Sequence, residues 1–260
     1  MRFLVAFGLV VLPVGADELS DKKLVWSDEF EKPGLPDSAR WSYEKGLVRN
    51  GEKQFYTDKR LENARIEDGH LIIEARKEKL DGGEFTSASL ISQGHAAWTY
   101  GRIEVKAKLP AARGTWPAIW MLPNDIGSTG WPRCGEIDLM EHVGYDPGKI
   151  HGTLHTETFN HTKGTQRGAE LFVATFSSDF HIYSIDWSKD KILMEIDGKI
   201  YATFDRKPGD TVSEWPFDKP FYLILNLAIG GDWGGQKGID DSAFPQRMEV
   251  DFVRVYQKQP

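Results

Sequence analysis

The sequence contains one cysteine, Cys134, among its 260 residues. A single thiol cannot build an intramolecular disulfide framework, and it cannot form a metal site made of several cysteines. Hydrophobic residues make up 40 % of the chain, which is too many for a generally disordered protein. We therefore expect a fold that core burial stabilises without disulfides, and the length suits one large all-β domain.

The sequence also lacks an excess of positive charge and, beyond its N-terminus, any long hydrophobic run. It has 32 Lys and Arg against 39 Asp and Glu, a formal net charge of −7, and the two signs are well mixed. This balance gives no electrostatic reason to bind nucleic acid or an anionic membrane surface. We expect a soluble monomer after signal removal, with no nucleic-acid or membrane partner.

The N-terminus has the pattern of a secretory signal. Met1-Arg2 provides positive charge, residues 3–14 form an apolar run too short to span a bilayer, and Val14-Gly15-Ala16 offers small residues to a signal peptidase. We predict that residues 1–16 are removed and that residues 17–260 form one secreted domain, either extracellular or periplasmic. The alternatives are a membrane-anchored N-terminus or a buried first strand.

Long amphipathic helices, internal repeats and domain linkers are also missing, and the dominant sequence period is two. Residues 102–109 alternate without error between charged and apolar side chains, and Asp197-Gly198 between two alternating runs predicts a tight hairpin. Further strands are predicted at 70–76, 88–93, 115–122, 136–143, 150–157, 180–187, 221–229 and 248–257. Many short strands with Gly-rich turns predict an all-β sandwich of two antiparallel sheets. If the sheets curve, the outer concave face becomes a groove.

An acidic cluster, Glu136, Asp138 and Glu141, is the most informative segment. Glu136 and Asp138 share one face of a strand, but Glu141 is out of phase and would point into the core, where an unpaired carboxylate is costly. A β-bulge around Leu139-Met140 restores the phase and places all three acids on one face.

Crowded carboxylates repel one another, and this repulsion can keep one acid protonated beside an ionised one. Glycoside hydrolysis uses such a pair. One alternative is a solvent-exposed strand face whose acids are close by chance. Another is a metal site that includes His142, His151 and His155, although the last two lie too far apart on a strand to bind one ion directly.

The cluster Glu136-Ile-Asp-Leu-Met-Glu141 resembles the signature of glycoside hydrolase family 16, in the bulged form of laminarinases. Similarity extends over nearly the whole mature chain and includes the motifs Trp26-Ser-Asp-Glu-Phe30, Asn50-Gly-Glu-Lys-Gln-Phe-Tyr56, Tyr100-Gly-Arg-Ile-Glu104, Gly114-Thr-Trp-Pro-Ala-Ile-Trp-Met-Leu-Pro123, Gly130-Trp-Pro-Arg-Cys-Gly135, His151-Gly-Thr-Leu-His155, Asn226-Leu-Ala-Ile-Gly-Gly-Asp-Trp233 and Phe244-Pro-Gln-Arg-Met-Glu-Val-Asp-Phe-Val-Arg-Val-Tyr256. Together and in this order, the motifs are highly specific to that family.

The resemblance implies a concanavalin-like jelly roll and a secreted endo-β-1,3-glucanase that retains anomeric configuration. Its substrates would be laminarin-like glucans, with mixed-linkage β-1,3-1,4-glucan as a candidate second substrate. It implies that Glu136 is the nucleophile, that Glu141 is the acid and then the base, and that Asp138 holds Glu136 through a shared proton. The alternatives are a hydrolase of another polysaccharide, such as a galactan, and a glucan-binding protein that does not cut.

Sugar rings stack their apolar faces on aromatic planes, and their hydroxyl groups need polar partners. By resemblance, Trp116, Trp120 and Trp131 would be walls of the sugar subsites, and Trp233 would belong to a more distant subsite. The matching polar positions are Asn50, Arg102, His155, Asn226 and Gln246. Arg102 has a chemical reason too, since a cation near the acids favours an ionised nucleophile, although it could merely lie on a solvent-facing strand face.

No cofactor is expected for catalysis. The family often holds a structural calcium on the side away from the cleft, and the matching positions are Glu29 and Gly69, through backbone oxygens, and Asp251, which can add its carboxylate. Cys134 lies two residues before Glu136 but has no base partner in its local sequence. We expect it to be a small buried packing residue.

Overall fold

The computed structural model describes residues 21–258, so the predicted signal sequence, residues 1–16, lies outside the described residues. The strands are β1 Lys22–Asp28, β2 Ser42–Tyr43, β3 Gln54–Tyr56, β4 Ala64–Glu67, β5 His70–Ala75, β6 Phe85–Ser87, β7 Ser89–Ile91, β8 Gly101–Lys108, β9 Thr115–Pro123, β10 Glu136–His142, β11 Lys149–His155, β12 Arg167–Phe172, β13 His181–Trp187, β14 Lys191–Ile196, β15 Lys199–Asp205, β16 Phe221–Ile229 and β17 Gln246–Lys258. A short helix α1, Ile126–Thr129, and two 3-10 turns at His161–Lys163 and Asp241–Ala243 complete the described elements.

Two large antiparallel sheets account for most of the strands. The eight-stranded sheet has the order β15-β14-β13-β8-β17-β5-β4, with β1 also paired to β17, and the seven-stranded sheet has the order β12-β11-β10-β9-β16-β7-β2. Strands β3 and β6 form a separate parallel pair. The prediction of an all-β jelly-roll sandwich is confirmed.

The core lies between the two sheets, as the alternating pattern requires. Ile103 and Val105 of β8 are fully buried on one side, and Ile119 of β9 and Ile137 of β10 meet them from the other sheet. Large rings fill the same space, and Trp41, Trp187 and Trp215 are almost fully buried. Much of the aromatic content therefore stabilises a sandwich that has no disulfide.

The tight hairpin predicted at Asp197-Gly198 joins β14 to β15. Both turn residues have positive φ, +52° and +75°, which is the backbone geometry of a two-residue hairpin and suits an Asp-Gly sequence. The strands that were not predicted from the sequence are β1, β2, β3, β4, β6 and β12. Strands β1 and β12 bury few side chains, so their hydrophobic pattern is weak, and the other four are too short to show a clear period. Among residues 21–258, no helix has the length and apolar character needed to cross a membrane.

Candidate active site

A cleft of about 770 Å³ lies on the outer face of the seven-stranded sheet. Four adjacent strands, β9, β10, β11 and β16, supply its floor, because every second side chain of each strand points away from the core. The charged side chains that line it are Arg49, Glu52, Glu136, Asp138, Glu141 and Asp232. The acidic cluster therefore lies in the cleft as a group.

The bulge predicted in β10 is present and brings Glu141 back to the cleft face. Against β9, Asp138 pairs with Trp120 but Met140 pairs with the next residue, Ile119, so Leu139 has no partner there. Leu139 and Met140 are both buried in the core. One extra residue thus reverses the strand's phase between Asp138 and Glu141.

The opposite sheet holds the bulge in place. The Tyr201 hydroxyl of β15 donates a hydrogen bond to the Leu139 carbonyl at 3.3 Å. Gly152 of β11 lies opposite the bulge, and a Cβ atom there would collide with the Tyr201 hydroxyl and the Met194 sulfur. A glycine is therefore needed to let the tyrosine reach the bulge.

Burial raises the pKa of all three carboxyl groups in the acidic cluster. The charge of Glu141 adds to the rise at Glu136, and the charges of both glutamates add to it at Asp138. The Trp116 indole donates to Glu141 Oε1 at 3.0 Å, and this hydrogen bond opposes the rise at Glu141. The three groups therefore titrate as a coupled set, and a proton is retained in the cluster well above the usual carboxyl range.

His155 lies directly across the sheet from Glu136 and close to two acids. Its Nε2 atom is 3.7 Å from Glu136 Oε1 and 3.4 Å from Asp138 Oδ2. Burial and the nearby His161 lower the pKa of His155 to about 4, so the ring is neutral at neutral pH. Polar atoms without a hydrogen-bond partner among the described residues include Asp138 Oδ2, His155 Nδ1 and His151 Nε2. These buried atoms are suited to meet the hydroxyl groups of a ligand.

The cation beside the acidic cluster is Arg49, which was not predicted. Its guanidinium lies 4.9 Å from the centre of the Trp120 ring and forms an ion pair with Glu44. Its positive charge opposes the rise in the pKa of Glu136. Arg49 belongs to a loop without strand periodicity, so only the chemical requirement for a cation pointed to such a residue.

The prediction that Arg102 reaches the cleft is wrong. Arg102 lies on β8, on the outer face of the eight-stranded sheet, where it pairs with Glu104 at 2.7 Å and Glu195 at 2.9 Å. Both sheets and the core separate it from the acidic cluster. Alternation correctly placed Arg102 on an outward face, but it could not tell which sheet that face belongs to.

Gln246 is also outside the cleft. It begins β17 of the eight-stranded sheet, and its side chain donates to the Ala243 carbonyl at 2.6 Å and accepts from the Ala112 amide at 3.4 Å. The predicted role of Gln246 in sugar binding is therefore not supported, because the side chain ties two loops together. Asn50 and Asn226, in contrast, both line the cleft.

Family membership follows from sequence comparison. The sequence profile of Glycosyl hydrolases family 16 matches residues 51–254. The chain belongs to this family.

Proteins of known structure are similar to this chain in sequence and in fold. The β-glucanase of Rhodothermus marinus is 51 % identical over 255 residues, which cover 94 % of this chain and 89 % of that protein. The X-ray structure of the R. marinus laminarinase has a TM-score of 0.89, with 92 % of this chain and 98 % of that chain covered. A mutant of SCLam, a non-specific endo-β-1,3(4)-glucanase, is 52 % identical with a TM-score of 0.89, covering 92 % and 96 % of the two chains. Its crystal structure presents 1,3-β-D-cellobiosyl-glucose at the active site.

The tryptophans of this family-16 domain divide into two kinds. Trp116, Trp131 and Trp233 line the cleft with partly exposed rings, and Trp116 meets Trp233 edge to face at 5.5 Å. Trp120 also lines the cleft but is only 7 % exposed, its indole donates to Asn226 at 2.7 Å, and Arg49 covers its ring. Trp120 therefore supports Arg49 and Asn226, and its predicted role as a wall of a sugar subsite stays a prediction.

The predicted calcium positions lie outside the cleft, and their carboxylates already face cations. The Glu29 carboxylate pairs with Arg254 at 2.8 Å, and Asp251 pairs with Lys106 at 2.7 Å, with His70 at 3.9 Å. Gly69, on the turn between β4 and β5, offers a backbone oxygen only. A calcium ion at Asp251 would compete with the Lys106 ammonium for the carboxylate. Calcium binding there stays an untested prediction.

Cys134 is fully buried, as predicted, and burial beside Glu136 raises the pKa of its thiol to about 11. A thiol with this pKa is not a nucleophile at neutral pH. Other cleft residues that the sequence did not single out include Glu52, Thr153, His161, Gln166, Asp232 and Gln236. Most of these residues lie in loops, which have no sequence period. Only those at alternate positions of β11 could have been predicted from the strand period.

Proposed function

We propose that this chain is an endo-acting hydrolase of β-1,3-glucans that works by a retaining double displacement. The observation that carries the proposal is the bulge in β10, which places Glu136, Asp138 and Glu141 together on the floor of one cleft. Partly exposed tryptophans beside them suit the apolar faces of sugar rings. An open cleft suits an endo mode of attack, because a long chain can lie across it.

The first half of the reaction would use Glu136 as the nucleophile. The nearby charge of Arg49 favours its ionised form, and a proton held by Asp138 can be shared with it. A Glu136 oxygen would form a bond to the anomeric carbon while the bond from that carbon to the glycosidic oxygen breaks. The proton of Glu141 would pass to the departing oxygen, and Trp116 would keep the Glu141 carboxyl in position.

The second half would reverse these roles. Glu141, now ionised, would take a proton from water as the water oxygen attacks the anomeric carbon. The ester bond to Glu136 would break, and its carboxylate would be restored. Two inversions at the same carbon give net retention of configuration.

The test is hydrolysis of a panel of polysaccharides by the purified mature protein. Laminarin, barley β-glucan, agarose, carrageenan and xyloglucan are incubated separately, and reducing ends are counted, with Glu136→Ser as the control. We expect release from laminarin, a lower or comparable release from barley glucan, and none from the control. Release from a galactan alone would overturn the glucanase assignment, and binding without cleavage would favour a glucan-recognition role.

Export of the protein rests on residues 1–16 and is part of the same proposal. Expression of the full sequence in a secreting bacterial host, followed by N-terminal sequencing, should give a product that begins at Asp17. Light scattering during size-exclusion chromatography should give the mass of a monomer. A product that retains Met1 in the cell would contradict the proposed secretion.

A further inference from the structure

Three side chains of the cleft form a compact set of metal-ligand atoms. Glu136, Asp138 and His155 each offer one ligand atom, and these atoms all lie within 4.8 Å of one another. His155 Nε2 is 3.4 Å from Asp138 Oδ2 and 3.7 Å from Glu136 Oε1. Ligands bound to one tetrahedral zinc ion at its usual bond lengths lie roughly 3.3–3.6 Å apart. The two spacings from His155 are therefore close to those of ligands that share one cation.

We propose that Glu136, Asp138 and His155 form an inhibitory site for a divalent transition-metal ion such as Zn²⁺. The site rests on the proposed function, because it would regulate the same carboxylates that carry out hydrolysis. It is distinct from the calcium positions at Glu29, Gly69 and Asp251, which lie outside the cleft. Among residues 21–258 this is the one group of three or more acidic, histidine or cysteine side chains with such spacing.

Burial and missing partners give the site independent support. Asp138 is 3 % exposed, and its Oδ2 atom has no hydrogen-bond partner among the described residues. An unpartnered carboxylate oxygen at this depth is costly unless a proton or a cation meets it. His155 is 6 % exposed, and an imidazole nitrogen is a common metal ligand.

The ligand chemistry selects the kind of metal. One imidazole nitrogen with two carboxylate oxygens suits Zn²⁺, which catalytic zinc sites bind with similar sets, whereas Ca²⁺ and Mg²⁺ prefer oxygen ligands alone. The second nitrogen of His155, Nδ1, has no hydrogen-bond partner among the described residues. Tight metal sites usually orient the histidine through that nitrogen, and its loss typically weakens binding about 10–100-fold. The ion is therefore a reversible inhibitor rather than a resident cofactor.

A bound ion would stop the reaction at its first step. Glu136 could not attack the anomeric carbon while its oxygen coordinates the metal, and Asp138 could not share a proton with it. The ion would also occupy the floor of the cleft where the sugar must lie. Zinc and glucan should therefore exclude each other, and inhibition should be competitive.

Binding is measured first, without any enzymatic readout. Isothermal titration of the metal-free protein with ZnCl₂, and visible absorption on addition of CoCl₂, should show one site, with the strong d–d bands of low-coordinate Co²⁺. His155→Gln and, as a second variant, Asp138→Asn should each weaken zinc binding by at least about tenfold. His95→Gln is the matched control, because His95 is an exposed histidine outside the cleft, and it should keep wild-type affinity. Thermal unfolding without metal checks that each variant folds.

Inhibition is measured second, on laminarin hydrolysis by the wild-type protein. ZnCl₂ should raise the apparent KM without changing kcat, EDTA should reverse the effect, and MgCl₂ at the same concentration should do nothing. Equal zinc affinity in wild type and His155→Gln, or zinc bound with no loss of activity, would overturn the site. A protein that binds zinc through His155 but cleaves no glucan would instead overturn the proposed function.

Discussion

The three carboxyl groups of the acidic cluster make the cleft reactive and at the same time weaken the fold. Asp138 is buried and the two glutamates are half-buried, each has a raised pKa, and their charges repel one another. One pKa unit corresponds to about 1.4 kcal/mol of difference between the two protonation states. Ionising these carboxyl groups therefore lowers the stability of the folded protein. Such a cost is common where function needs crowded ionisable groups.

Glu136→Gln should abolish hydrolysis and stabilise the protein at neutral and alkaline pH. A folded-state pKa above the unfolded value favours the folded protein at low pH, and this contribution is lost as pH rises through the folded pKa. Glutamine cannot ionise, so the variant does not lose this stability as the pH rises. Its free energy of unfolding should exceed that of the wild type by little near pH 4.5 and by about 1–3 kcal/mol at pH 8. Urea unfolding at both pH values measures it. An equal or lower stability at pH 8 would contradict the raised pKa.

Arg49→Gln should shift the acid limb of the kcat/KM profile to higher pH. Without the guanidinium, the positive charge that opposes the rise in the pKa of Glu136 is lost and only the Trp131 indole still opposes it, so less of the nucleophile is ionised at low pH. We expect a shift of about 0.5–1 pH unit and a fall in activity at pH 5 of roughly three- to tenfold. Arg49→Lys should restore part of the activity that Arg49→Gln loses at pH 5.

The control for Arg49 is Arg206→Gln, which makes the same change of charge at a residue that pairs with Asp190 outside the cleft. It should leave the pH profile of laminarin hydrolysis unchanged. If both variants shift the profile equally, the effect comes from net charge and not from the position of Arg49.

At the scale of single elements, β10 shows how a strand can serve the core and the cleft with one extra residue. Ile137, Leu139 and Met140 all enter the core, while the acids on either side of the bulge face the cleft. The ladder is interrupted on both sides of β10 between Asp138 and Glu141. Tyr201 from the other sheet provides the contact that holds this interruption in a single geometry.

Tyr201→Phe should therefore lower kcat more than it changes KM, because Glu141 follows the bulge while the sugar-stacking rings remain. Loss of the hydrogen bond to the Leu139 carbonyl should cost about 1 kcal/mol of stability. Denaturant unfolding and steady-state kinetics on laminarin measure the two effects. The matched control is Tyr183→Phe on β13, since the Tyr183 hydroxyl is buried without a hydrogen-bond partner in the described chain. A similar fall in kcat for both variants would contradict a positioning role of Tyr201.

The elements also show what could be predicted from the sequence. The bulge was predictable because a regular strand would have buried the Glu141 carboxylate, and only one inexpensive local change avoids this. Most strands were predictable from their period of two. Arg102 was misplaced because alternation gives the face of a strand and not the sheet. Arg49 was missed because its loop has no period and reaches Trp120 only through the tertiary fold.

At the scale of the whole molecule, the outer face of the eight-stranded sheet is covered by ion pairs. Lys106 with Asp251, Lys108 with Glu249 and Arg254 with Glu29 join neighbouring strands or flanking segments. A single exposed ion pair contributes little to stability, but several pairs on one face together contribute more. In this arrangement lysine and arginine neutralise the carboxylates on this face.

Calcium should consequently have little effect on the stability of the wild-type protein. We expect EDTA or CaCl₂ to change Tm by less than about 1 °C, because Lys106 already neutralises Asp251. Lys106→Met removes the competing ammonium, and calcium should raise the Tm of this variant. Differential scanning calorimetry measures both. A clear rise in the wild-type Tm with calcium would instead support binding at Glu29, Gly69 and Asp251.

The charged lining of the cleft has a further consequence for which polymers can enter it. Five carboxyl groups, those of Glu52, Glu136, Asp138, Glu141 and Asp232, line the cleft together with one guanidinium, that of Arg49. A polysaccharide that carries sulfate or uronate groups should be repelled by those carboxyl groups that are ionised, and added salt should screen this repulsion beyond about 10 Å. A neutral glucan meets no such barrier at any ionic strength. We therefore expect the cleft to discriminate between polymers by charge as well as by linkage.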